Sequence, residues 1–145
     1  MNYVNDFWSW AGVSSTEYSE SGMQNGEHVY EDEYPLFDDM IDYAKGLIAT
    51  PDIDMLAIED VLIILALDHE SEELLDYMVK YCPACNISRI VDSGVKHIQP
   101  GTRWQIAELI YRRKLFDYMH CVRQLCNDKN HYVSKRALNL VRIFG

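Results

Sequence analysis

From residue 34 onward apolar residues recur every three or four positions, and the chain reads as a succession of amphipathic helices. Phe37, Met40, Ile41, Ala44, Leu47 and Ile48 fall on one helical face. Pro35 suits a first turn, and Asp38 and Asp39 favour the positive end of the helix dipole, so a helix is predicted over about 35–49. After Pro51 the run Met55 to Leu67 (MLAIEDVLIILAL) is apolar nearly all round, the texture of a helix covered on every side. A buried strand over VLIILAL would also fit, but the helical pattern before it and the lack of a partner strand argue against one. Further sets at helical spacing are Leu74, Leu75, Met78, Val79, Cys82; Ile87, Ile90, Val91, Val95, Ile98; and Trp104, Ala107, Ile110, Tyr111 behind Pro100-Gly101-Thr102. The last sets, Leu115, Met119, Val122, Leu125 and Val133, Ala137, Val141, Phe144, flank the turn NDKN.

Linkers of a few residues force successive helices antiparallel, and helix pairs over 52–82, 83–114 and 115–145 have lengths of 31, 32 and 31 residues. The expectation is one all-α domain: a stack of antiparallel hairpins, about seven helices over residues 34–145. Residues 12–33, rich in Gly, Ser, Asn and acid, show no period and read as irregular chain. The segment 1–33 is thus expected to be an irregular acidic stretch packing on the first hairpin, with Trp8 and Trp10 capping it.

DKNHYVSKRALNLV, residues 128–141, sets Val133, Ala137 and Val141 at four-residue intervals behind an Asp-bearing turn, and TRWQIAELIY echoes it. This pattern resembles the second helix of a HEAT-like repeat. It departs at Ser134, where such repeats usually carry Arg, and 52–82 lacks the Asp-bearing turn. The resemblance implies a HEAT-like stack, a shape that does not fix function.

The chain has 145 residues, 48% hydrophobic, and a net charge of −10, enough apolar content for one globular core. The N-terminus has no basic region ahead of an apolar stretch, and MLAIEDVLIILAL is shorter than a membrane span of about 20 residues. A cytoplasmic location without a membrane partner is the expectation. Cys82, Cys85, Cys121 and Cys126 are then expected as reduced thiols rather than a disulfide framework. The charge is divided: residues 1–78 hold 19 acids and the base Lys45, whereas 79–145 hold 4 acids and 12 bases.

Few patterns point to catalysis. The C-x-x-C of Cys82 and Cys85 ends an apparent helix, whereas a redox dithiol starts one. A zinc site would need Cys121 with Cys126, or His97 or His120, but the first two lie on an amphipathic helix where thiols pack into cores. His28, His69, His97, His120 and His131 match no metal or catalytic spacing, and no phosphate-binding Gly loop or nucleophile elbow occurs. The chain therefore reads as a non-enzyme without metal or cofactor. The bases Arg112, Arg113, Lys114, Arg123, Lys129, Lys135, Arg136 and Arg142 could hold phosphates, but the acidic whole repels a polyanion and argues against a nucleic-acid partner.

EHVYEDEYPLFDDMID, residues 27–42, concentrates seven carboxylates with no Lys or Arg. Solubilisation or compensation by the basic half would account for the charge alone. A docking role fits as well, because one-signed charge steers encounter and tyrosines supply contact area at low entropy cost. Together with the terminal repeat, this segment is similar to the small acidic helical immunity proteins of bacterial contact-dependent growth inhibition and polymorphic toxin systems. That resemblance implies a protein–protein inhibitor whose partner is a basic cognate toxin, nuclease-like, with its active cleft covered. The partner-binding residues expected are Glu31, Asp32, Glu33, Asp38, Asp39 and Asp42 for complementarity, and Tyr30 and Tyr34 as anchors. The alternatives are a helical adaptor or scaffold that takes a peptide or domain on its concave face, and a nucleic-acid-binding HEAT-like protein.

Overall fold

A computed structural model describes residues 2–21, 30 and 33–144. Among them every regular element is helical: α1 (Tyr3–Ala11), α2 (Ser15–Glu20), α3 (Phe37–Ala49), α4 (Met55–Leu67), α5 (Glu73–Tyr81), α6 (Ala84–Gly94), α7 (Pro100–Arg112), α8 (Met119–Leu125) and α9 (His131–Phe144). A 3-10 turn, Phe116–Tyr118, precedes α8. The all-α expectation holds, and the strand alternative for VLIILAL does not. No described helix is long and apolar enough to cross a membrane.

The segment expected to be irregular over 1–33 carries α1 and α2. Ser14 opens α2 with a capping box: its Oγ accepts the Glu17 N–H at 3.1 Å, and its own N–H donates to Glu17 Oε1 at 3.1 Å. A helix of 6 residues cannot persist alone, and tertiary burial of Tyr18 supplies the rest. Val4, Phe7 and Tyr18 join a hydrophobic cluster that runs to Leu140, and α1 packs on α4.

α4 and α7 form the centre. In α4 the eight residues Ile58 and Val61 to Leu67 are all buried, with α3, α6, α7 and α1 as neighbours. α7 is buried from Pro100 to Ala107 between α4, α5, α6, α8 and α9. Its polar residues bond inward: Thr102 Oγ1 donates to the Leu62 carbonyl and Gln105 Nε2 to the Leu65 carbonyl, both at 2.7 Å. α9 runs alongside α7 in the same direction, with Tyr132 edge-on to Trp104 and Arg136 bonded to Glu108.

The even period of 31 to 32 residues is corrected by these contacts. Paired residues of α4 and α7 are 40 positions apart, whereas those of α7 and α9 are 28 apart. The reason is α5, which packs on α3 and α7 and so lengthens the first interval. The side chain of Asn86 ties the α3–α4 turn to α6, accepting the Ile53 N–H at 3.3 Å and donating to the Ile48 and Thr50 carbonyls at 3.3 and 2.7 Å. At Gly94 a Cβ would stand 2.5 Å from Ile106 Cγ1, so the α6–α7 approach requires glycine there.

Candidate protein-binding surface

The acidic segment divides by helical geometry. Phe37, Met40, Ile41, Ala44 and Ile48 face the core, which turns Asp38, Asp39 and Asp42 to solvent from the first turns of α3. These three carboxylates enter no hydrogen bond or ion pair among the described residues. Glu33 is exposed just ahead of them. Glu31 and Asp32 lie outside the described residues.

The anchor role expected for Tyr30 and Tyr34 is corrected. Tyr30 is 8% and Tyr34 4% exposed, both set edge-on against the buried Phe7 ring at centroid distances of 5.1 and 5.2 Å. Apolar burial of the rings outweighs display. Tyr34 donates its hydroxyl to Asp6 Oδ2, and burial, then that hydrogen bond, holds its pKa well above the usual phenol range. Burial, then Glu33, raises Tyr30 too. Farther along α3, Tyr43 donates to Asp60 Oδ2 at 2.7 Å; burial, then that bond, pushes its pKa up to about 12. The tyrosines between the acids therefore fasten α1 and α4 to α3.

In this aromatic cluster Trp10 reaches solvent, 42% exposed and 5.1 Å from the Tyr34 ring. Sequence reasoning assigned it to capping with Trp8, which is half-buried against Tyr18. The signal that could have found it is helical angle: Trp10 lies about 120° around α1 from the buried Val4, at the edge of the buried stripe.

Many bases of the C-terminal half are engaged internally. Arg112 pairs with Glu72 (3.4 Å), Asp76 (2.9 Å) and Glu108 (3.5 Å), so some compensation between the halves is built in. Arg113 donates to the Met78, Val79 and Cys82 carbonyls at the end of α5. Arg136 lies 4.1 Å over the Trp104 ring and bonds Glu108 at 2.8 Å, while Arg103 is buried against Asp128. Lys114, Arg123, Lys129, Lys135 and Arg142 remain exposed.

All four cysteines are free thiols. No group of three or more His, Cys, Asp and Glu among the described residues could hold a metal ion; His28 is outside that set. Burial, opposed by Arg113 and reinforced by Cys85, pushes the Cys82 pKa up to about 11, leaving about a thousandth of it as thiolate at pH 8. Cys85 is exposed. Alkylation at pH 8 is therefore expected to modify Cys85 well before Cys82, which should react fully only on unfolding. Peptide mass spectrometry checks the order, and comparable rates would contradict this burial of Cys82.

No family model, no curated protein and no solved structure matches this chain.

Proposed function

We propose that this chain is a non-enzymatic, protein-binding inhibitor: a HEAT-like immunity protein of the cytoplasm that neutralises a basic, nuclease-like cognate toxin by covering its active cleft. The observation that carries the reading is the set of unpaired, solvent-facing carboxylates Asp38, Asp39 and Asp42 on α3, with Glu33 exposed beside them. A ridge of one sign accelerates encounter with a basic cleft, and carboxylates can occupy phosphate positions there. Trp10 supplies the apolar contact that rim charges lack, in place of the buried tyrosines. Engagement of Arg103, Arg112, Arg113 and Arg136 within the fold weighs against binding through a phosphate backbone.

The test is capture from lysate of the source at low salt, elution by salt, and assay of the retained protein's nuclease activity with and without the chain. A single basic protein whose activity is suppressed in the complex supports the reading. Several weak partners would favour an adaptor, and retained nucleic acid would move the interface to the basic half.

With that partner in hand, Asp38→Asn, Asp39→Asn and Asp42→Asn combined should slow association roughly tenfold at low salt and little at high salt. Trp10→Ala should instead speed dissociation. Unchanged association by surface plasmon resonance would remove the ridge from the interface.

A further inference from the structure

Where α7 and α9 end, Tyr111, Arg112, Lys114, Phe116, Ile143 and Phe144 line a groove of about 570 Å³. The Phe144 ring lies 5.5 Å from Phe116 and 6.2 Å from Tyr111, making an aromatic floor. Phe116 is 63% and Ile143 68% exposed, so the apolar wall of the groove is open to solvent. Among the described residues no carboxylate lines the groove, and Lys114 and the neighbouring Arg142 are exposed without an ion pair. Such a site calls for an aliphatic occupant framed by acid.

The same chain presents that occupant. At the turn into α4, Pro51, Asp52, Asp54, Met55 and Leu56 are all exposed, Leu56 at 81% and Met55 at 55%. The corner is pre-organised: Asp54 caps α4 by accepting the Ala57 N–H at 2.8 Å, and Asn86 holds the turn through Ile53 and Thr50. Isolated surface aliphatics need no explanation, but two adjacent ones flanked by carboxylates match the groove in both apolar and charged character. The division of the chain into an acidic and a basic part gives the match the same sense over a longer range.

We propose that a second copy of this chain docks its Asp52 to Leu56 corner into the groove formed by Phe116, Ile143 and Phe144. The contact is heterologous, joining different patches of the two copies, and it does not depend on the acidic ridge of α3.

Sedimentation velocity over roughly a hundredfold range of concentration, at low and high salt, tests it. The wild type should gain mass with concentration, and the association should weaken roughly tenfold at high salt. Leu56→Asp and Ile143→Asp, both at exposed positions, should each be monomeric alone. Their equimolar mixture should regain a dimer, because one variant keeps its groove and the other its corner. If circular dichroism shows either variant unfolded, Leu56→Ser and Ile143→Ser carry the same mixing test. A wild type that stays monomeric would overturn the proposal, as would a mixture no more associated than its components. A monomeric wild type whose groove takes an acidic amphipathic peptide would assign the site to a foreign partner and overturn it equally.

Discussion

Replacing Asp128 with Ala is expected to destabilise the fold by about 3–5 kcal/mol, the usual result of stranding a buried charge. Arg103 Nε and Nη2 donate to the two oxygens of Asp128 at 2.8 and 2.9 Å, and both side chains are about nine-tenths buried. Arg103 cannot follow its lost partner into water, because Nη1 is fastened to the carbonyls of His97 and Ile98 at 2.8 and 3.0 Å. Asp128 also accepts the Asn130 N–H at 2.9 Å, ordering the turn into α9. Urea unfolding of Asp128→Ala measures the loss, and Arg103→Met in the same background should recover much of it, since a thioether there needs no counter-charge. A loss under about 1 kcal/mol, or effects that simply add, would mean the two groups are not coupled.

Phe7→Ala should cost about as much, roughly 3–5 kcal/mol, by emptying the centre of the N-terminal aromatic cluster. Phe7 is fully buried and touches the rings of Trp8, Trp10, Tyr30 and Tyr34. The loss should be concentrated in α1 and α2, so amide exchange in α1 should accelerate far more than in α7. Uniform acceleration would show instead that the N-terminal helices unfold together with the core. Tyr34→Phe keeps the ring and removes only the hydroxyl bonded to Asp6, and it should cost about 1 kcal/mol.

The helices from α3 onward were legible because each buries one face, and burial writes itself as a period of three to four residues. α4 was legible through the opposite property, an apolar surface on all sides. α1 and α2 were missed for different reasons. α1 is short, and aromatic residues near a terminus fit a capping role equally well; α2 rests on the capping box of Ser14 and Glu17 and on burial of Tyr18, cues easily lost in polar sequence. The buried interior of α7 includes Thr102, Arg103 and Gln105, whose partners Leu62, Asp128 and Leu65 are set by tertiary placement and leave no local trace. The same limit acted at the candidate surface. The facing of Asp38, Asp39 and Asp42 follows from the α3 pattern, but whether Tyr30 and Tyr34 point outward depends on α1 arriving to cover them.

The hydrogen bond from Gln99 to Ser15 joins residues 84 positions apart. During synthesis, α2 leaves the ribosome well before Gln99 has been made. Tyr3 can stack on Tyr43 of α3, and α1 can pack on α4, earlier, but the tie from α2 to the α6–α7 turn must wait. α1 and α2 are thus made well before the turn that secures α2, and in the nascent chain their aromatic faces have time to meet a chaperone.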